Sequence, residues 1–364
     1  MLKIPATLDE VTAEWLTAAL ELGGQAGAPR VSSCHVEPIG LGKGIASQMA
    51  RLTPAYESPT PGEAPKSLIV KLPPLGENDR VTARRLNLFE IENRFYAELA
   101  RQAGVRVPLC FYNEMNRPAD EHVLLLEDIT GSVAGDDVAG CSPERASAVV
   151  LELAALHAAW WDSEKLHELT WMKSWDDPAE AALIQELYVN SWGEVEKFGF
   201  EIPDPVREIG RRLGPHSAVL HRELSARPCT IVHGDVRLDN LLFGESEGAP
   251  PLTIIDWQIV GRLRGPYDVA TFLVSSLEPD VRRATEISLL EAYHAALCQR
   301  GVAGYDIKMC LGDYRRAMLS WFSRVIFVGA SYDLGNERGH ALIQGLLDRV
   351  AAALLDLDCD ELLP

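Results

Sequence analysis

The chain contains three oxygen-bearing side chains whose order suits metal-dependent group transfer. His233-Gly234-Asp235 is followed by Asn240 and then, after a turn rich in glycine and proline, by Ile254-Ile255-Asp256. Moving a phosphoryl group onto a hydroxyl needs an aspartate near the attacking oxygen. It also needs oxygen ligands for a magnesium ion that bridges nucleotide phosphates. An aspartate, an asparagine five residues on and a second aspartate closing an apolar run supply that set. Each has a plain structural explanation on its own: Asp235 as a turn cap, Asn240 as a loop residue, Asp256 as a strand end. The three in this order, on these local elements, favour the chemical reading.

Two segments nearer the N-terminus fit the same chemistry. Gly40-Leu-Gly42-Lys-Gly44-Ile-Ala-Ser47 suits a loop over phosphates, because glycine lets backbone N–H groups approach phosphate oxygens. A plain hairpin turn accounts for the same residues equally well. Ser67-Leu-Ile-Val-Lys71 reads as a short apolar strand ending in a lysine, whose ammonium needs a partner unless it reaches solvent.

Several elements must position these groups. A capping-box pattern at Thr7 and Glu10 opens a helix over residues 8–22, stopped by Gly23-Gly24. Strands are expected over 31–39 and 49–56. Residues 79–103 are helical by spacing, with Leu86, Phe89, Phe95, Tyr96 and Leu99 on the apolar face. Residues 122–129 read as a buried strand. After Gly131 the pattern is mostly helical, opening with Ser142-Pro143 and Asp177-Pro178 and interrupted by one β-rich insert at 230–256. The fold class is therefore α+β, with a small β-rich lobe at 1–129 and a large, mainly helical lobe at 130–364.

Composition removes other classes. The 364 residues are 47% hydrophobic and 24% charged, ordinary for a globular protein, and long enough to need no disulfide or structural metal. A net charge of −19 would be repelled by a phosphate backbone, so no nucleic-acid partner is expected. Seven cysteines, an odd count with no C-x-x-C, fit a reducing cytoplasm. The most apolar stretch, residues 311–330, holds Asp313, Arg315, Arg316 and Arg324, so no membrane span is expected.

The His233–Asn240 and Ile255-Asp256-Trp-Gln258 segments resemble the catalytic loop and metal-binding segment of the aminoglycoside phosphotransferase and choline kinase-like superfamily. The similarity is greatest to its ecdysteroid kinase-like branch and runs from about residue 40 to 272. It implies a protein-kinase-like bilobal fold and a small-molecule kinase that uses ATP and Mg2+. Asp235 resembles the catalytic aspartate, and Asn240 and Asp256 the magnesium ligands. Arg237 stands where protein kinases often place a lysine near the transferred phosphate. Gly42, Gly44 and Ser47 match the phosphate loop, and Lys71 the ATP-anchoring lysine. Glu92, in Glu92-Asn-Arg-Phe95-Tyr96, fits as the partner of Lys71, with Glu90 and Glu98 as competitors. Glu127 to Ile129 resemble the hinge that meets the adenine, and Asp268 the aspartate bracing the catalytic loop.

A protein kinase is disfavoured: no A-P-E follows Asp256, and 12 residues separate it from Asp268, too few for a usual activation loop. A catalytically silent nucleotide-binding module is the rival from another class, although the residues whose loss would mark it are all in place. The partner is a small-molecule hydroxyl acceptor of open identity: an aminoglycoside, a choline-like amine, a sugar, or a steroid or macrolide alcohol. Oligomeric state is not legible.

Overall fold

Strands with alternating burial build the N-terminal part of the chain. In the computed structural model, which describes residues 2–24, 30–40, 47–57, 64–172, 174–195, 197, 199–331 and 337–364, helix α1 (Ala13–Leu22) precedes a five-stranded antiparallel sheet. Its strands are β1 (Val31–Ile39), β2 (Gln48–Tyr56), β3 (Leu68–Leu72), β4 (Cys110–Asn116) and β5 (Glu121–Glu127), in the order β1-β2-β3-β5-β4. Ala50 and Leu52 of β2 and Leu68, Val70 and Leu72 of β3 share one buried face with Trp15, Leu16, Ala19 and Leu20 of α1. Each large aliphatic buried there contributes roughly 1.5–3 kcal/mol. Because side chains alternate along a strand, Lys71, between Val70 and Leu72, projects from the opposite face.

Two local expectations need correction. The single helix expected over 79–103 is α2 (Glu77–Arg85), α3 (Leu88–Arg94), a π-helical turn (Phe95–Leu99) and a 3-10 turn (Ala100–Gln102). It breaks at Asn87, whose φ of 54° lies in the left-handed region that asparagine tolerates best among side chains. Phe89, Phe95, Tyr96 and Leu99 are buried all the same, so the apolar period reported burial and not helix continuity. At the N-terminus, residues 8–10 form a 3-10 turn, and α1 is capped by Thr12, whose Oγ1 accepts the Trp15 N–H at 3.2 Å. Thr7 caps nothing, although Glu10 does reach back to the Ala6 N–H at 3.1 Å. Strand β4 carried no sequence signal, being half-buried and polar for most of its length.

The chain continues through β6 (Ser132–Ala134), α4 (Pro143–Ala159), α5 (Lys165–Glu168), α6 (Pro178–Val195), α7 (Asp204–Ser225) and β7 (Thr230–Val232). Then come β8 (Leu241–Gly244), β9 (Leu252–Ile254), β10 (Gly261–Leu263), α8 (Pro266–Ser276), α9 (Pro279–Gln299), α10 (Ile307–Ser331) and α11 (Glu337–Asp356). Helix α7 escaped the sequence reading because Pro215 interrupts its interior. Every residue of α8 is buried, which makes it the central helix of this part. The chain forms two compact units, Met1–Val133 with Phe243–Ile259, and Ala134–Leu242 with Val260–Pro364. Among the described residues, no helix is long and apolar enough to cross a membrane.

The cap assignment is directly testable. Thr12→Ala should destabilise the protein by about 1 kcal/mol in urea unfolding, while Thr7→Ala should change it by less than about 0.5 kcal/mol. Equal losses would return the cap to Thr7.

Candidate active site

In the first unit the geometry centres on Lys71. Its Nζ lies 2.7 Å from Glu92 Oε2 and 2.9 Å from Asp256 Oδ1. The expected Lys71–Glu92 pair is thus formed, with Glu92 2% exposed. Glu92 is drawn inward because its α3 neighbours Phe89 and Ile91 are themselves buried. The competitors face elsewhere: Glu90 pairs with Arg94 and Arg117, and Glu98 with Arg94. Burial alone would lower the Lys71 ammonium, but the charges of Asp256 and Glu92 outweigh it and hold it above its ordinary value. Burial pushes the Glu92 carboxyl up, against the pull of Lys71 and of the Trp257 backbone N–H.

Asp256 is fixed by its own backbone and by the tryptophan next to it. Its φ of 66° is left-handed, a conformation aspartate adopts more readily than most side chains. Trp257, fully buried, stacks on Phe95 with ring centres 4.0 Å apart and planes 6° from parallel, and its Nε1 donates to Ile254 O at 3.1 Å. Helix-borne Glu92 and strand-end Asp256 are therefore tied by two links, one ionic and one aromatic. Gln258 reaches Ser47 Oγ at 3.4 Å. Gly42 and Gly44 lie outside the described residues. The Glu127 carboxylate is taken by Arg106 at 2.5 Å and by the Leu109 N–H at 2.9 Å, and Ile129 is buried.

In the second unit a buried carboxylate shapes the loop after β7. Asp268, wholly buried in the first turn of α8, accepts the His233 N–H at 2.7 Å and the Gly234 N–H at 2.9 Å. His157 Nε2 lies 3.2 Å from the same carboxylate, and its Nδ1 is 2.7 Å from the Tyr293 hydroxyl. Gly265, which starts α8, has to be glycine: a Cβ there would stand 2.3 Å from the Tyr293 oxygen and 2.9 Å from His157 Nδ1. Gly234 has φ +86°, a backbone turn that side chains resist. These constraints present Asp235.

Two guanidiniums converge on Asp235 Oδ1, Arg324 at 3.0 Å and Arg237 at 3.2 Å. Arg324 also donates to Gly234 O at 2.6 Å. Among the described residues, the second oxygen, Oδ2, has one long contact of 3.4 Å, from Asn240 Nδ2, which donates at 2.9 Å to the Asp235 carbonyl. Burial alone would raise the Asp235 carboxyl, but Arg324 and Arg237 outweigh it and hold it at about 2. Arg237 in turn pairs with Asp137 at 2.6 Å.

Each unit by itself offers an oxygen of the kind a hard divalent cation takes. Asn240 commits its amide nitrogen to Asp235, which leaves its carbonyl oxygen as a ligand, and Asp256 gives only Oδ1 to Lys71. Among the described residues no cluster of three or more His, Cys, Asp or Glu forms a metal cage. Magnesium does not need one, since it keeps several waters and takes one or two carboxylates with substrate phosphates.

Sequence reasoning missed two residues here. Arg324 stood out only as a charge interrupting an apolar stretch, and Asp137 not at all. The available signal was weak: the one charged residue in the sequence from 317 to 331, one helical turn after Trp321, whose ring lies 5.3 Å from its guanidinium carbon.

Comparison with known proteins bears on the family and on the fold. A family model described as ecdysteroid kinase-like matches residues 42–301. No curated protein matches by sequence. Among solved structures, a putative aminoglycoside phosphotransferase from Ralstonia eutropha JMP134 is 16% identical with a TM-score of 0.56, covering 92% of this chain and 97% of its own. The GDP complex of wild-type aminoglycoside 2'-phosphotransferase-IIIa is 13% identical, TM-score 0.53, covering 93% and 98%. An amicoumacin kinase in complex with AMP-PNP, Ca2+ and Ami is 13% identical, TM-score 0.54, covering 87% of each chain. At these identities the likeness is one of fold: a sheet-bearing N-terminal region and a helical C-terminal region of the kinase-like phosphotransferase kind.

Two outcomes are expected from the charges. Glu92→Ala should cost about 1.5–3 kcal/mol in urea unfolding, because it removes one of the two carboxylates holding the buried Lys71 ammonium and leaves it to the more exposed Asp256, whereas Lys71→Met with Glu92→Leu should stay within about 2 kcal/mol of the parent. A loss below about 1 kcal/mol in the single variant would refute the buried pairing. The depressed Asp235 carboxyl stabilises the fold above the ordinary carboxylate range, and this contribution disappears as pH falls towards about 2. Arg324→Ala should raise the Asp235 carboxyl, read by carboxyl-carbon NMR titration, and acid destabilisation should begin at a higher pH. An unchanged titration would show that Arg324 does not set this charge.

Proposed function

Because the chain belongs to the ecdysteroid kinase-like family, we propose that it is a small-molecule kinase transferring the γ-phosphoryl group of ATP to a hydroxyl of its acceptor, with Mg2+. The observation that carries the reading is Lys71 paired with both Glu92 and Asp256, since phosphoryl transfer depends on an ammonium held in place for the nucleotide phosphates. In this reading residues 1–129 bind the nucleotide and residues 130–364 carry the catalytic loop and the acceptor site. The assignment of ATP and a divalent cation is supported by the amicoumacin kinase of like fold, whose complex contains AMP-PNP and Ca2+.

Each residue then has a defined task. Lys71, kept charged by its two carboxylates, binds the α- and β-phosphates, and Glu92 fixes its direction. Ser47 and the glycines at 42 and 44 cover the phosphates, and the main chain at Glu127 to Ile129 meets the base. Asp256 and Asn240 would each offer an oxygen to Mg2+. The bound ion supplies charge neutralisation on the phosphates. Asp235 accepts a hydrogen bond from the acceptor hydroxyl and aims its oxygen at the phosphorus. A carboxylate held at about 2 is a weak base, so it orients the nucleophile and receives the proton only as the new P–O bond forms. Arg237 offers positive charge where negative charge is transferred. Most of the acceleration comes from positioning and electrostatics. The enzyme acts in the cytoplasm.

The test is ATP consumption over a panel of aminoglycosides, choline-like amines, sugars, steroid alcohols and macrolides, followed by two variants on the best acceptor. Asp235→Asn should lower kcat by about 10²–10⁴-fold with ATP affinity little changed. Asp256→Ala should abolish the thermal stabilisation that Mg-ATP gives the parent. Near-normal turnover in the first, or an undiminished thermal shift in the second, would overturn the corresponding assignment.

A further inference from the structure

Asp235 is surrounded by more positive charge than an orienting carboxylate needs, and one neighbour limits what that charge can do. Arg237 uses Nε for Asp235 Oδ1 at 3.2 Å, while its NH1 is drawn the other way, to Asp137 Oδ2 at 2.6 Å. A free arginine beside a carboxylate prefers to place two nitrogens on both oxygens, which is shorter and stronger than a single contact. Here that fork is not formed, and among the described residues Asp235 Oδ2 keeps the 3.4 Å contact from Asn240.

Asp137 is built into place. It follows Asp136, whose Oδ1 accepts the Val138 N–H at 2.8 Å and the Ala139 N–H at 3.3 Å, a turn that fixes the loop after β6. The Asp137 carbonyl takes Arg349 NH1 at 3.1 Å, and Arg349 also donates to Ser275 O and pairs with Glu278. The carboxylate is 6% exposed, and its Oδ1 is buried with no hydrogen-bond partner. Burial pushes this carboxyl up, opposed by the Arg237 charge and by the Asp239 backbone N–H that also reaches the carboxyl group.

We propose that Asp137 is a positioning residue: it holds the Arg237 guanidinium turned off Asp235 Oδ2, so that this oxygen stays open to the acceptor hydroxyl. The proposal rests on the phosphotransfer reading for its effect on rate, but its structural half stands apart from it. When the Asp137 charge is removed, the Nε and NH2 edge of Arg237 closes on both Asp235 oxygens and competes with the acceptor.

The decisive experiment joins a structure to kinetics. A crystal structure of Asp137→Asn should show Arg237 bidentate on Asp235. With the best acceptor of the panel, Asp137→Asn should lower kcat by at least about tenfold and leave KM for ATP within about twofold, since nucleotide contacts are untouched. Adding Arg237→Lys, which keeps the charge but cannot fork, should recover at least about fivefold of the loss. A merely structural Asp137 would not be rescued in this way. If Asp137→Asn does not fold, Asp137→Ser replaces it in the same comparisons. Arg237 unmoved in the variant crystal, kcat within about twofold of the parent, or no recovery on adding Arg237→Lys would overturn the proposal. A parent that phosphorylates no acceptor would overturn the functional reading instead, and the variant crystal would still decide where Arg237 goes.

Discussion

The carboxylate of Asp268 has no exposure to solvent, and its two oxygens receive the N–H groups of His233 and Gly234 together with the His157 ring. A buried carboxylate is tolerable only when its lone pairs are met, and here backbone groups of one loop meet them. The direction of constraint runs outward from there. Because the loop is tied at 233 and 234, Gly234 must turn into the left-handed region, and Asp235 leaves the turn at a set angle. Because His157 and Tyr293 complete the network, α4 and α9 take part in setting that angle. Arg324 then seals the arrangement by holding the Gly234 carbonyl and the Asp235 side chain at once.

The first unit solves a different problem with the same physics. Lys71 and Glu92 are both nearly buried, and two charges taken out of water repay their desolvation only in good geometry. The third partner, Asp256, is 38% exposed at its side chain, so the triad has a dry end and a wet end. The dry end fixes the ammonium, and the wet end leaves carboxylate oxygen accessible. The Trp257–Phe95 stack adds an apolar latch directly behind the charges, so that helix and strand end move together or not at all.

What could be read from the sequence was what local pattern encodes. The ammonium closing an apolar strand, and a glutamate between phenylalanines at helical spacing, were legible because burial period and charge coincide within a few residues. The sheet-then-helix order was legible for the same reason. Asn87 broke the long helix without breaking its apolar period, so the break did not show in the pattern. Pro215 interrupted a period that the tertiary structure nevertheless keeps helical in α7. Arg324 and Asp137 meet the loop after β7 through contacts across long sequence distances, 100 residues in the case of Asp137 and Arg237, and no local rule predicts such a meeting.

The first unit is discontinuous: its second segment, Phe243–Ile259, comes after the 109 residues from Ala134 to Leu242 that belong to the other unit. On a ribosome adding about 5–20 residues per second, the five-stranded sheet can form several seconds before Asp256 and Trp257 exist. During that interval Lys71 and Glu92 have only one another, and the Phe95 ring has no indole to stack on. The nascent sheet therefore waits with a half-built ion cluster and an uncovered aromatic face. The last pieces to reach it are the tryptophan that covers that face and the carboxylate proposed to bind metal, so closing the core of this unit and supplying its proposed metal ligand are a single late event.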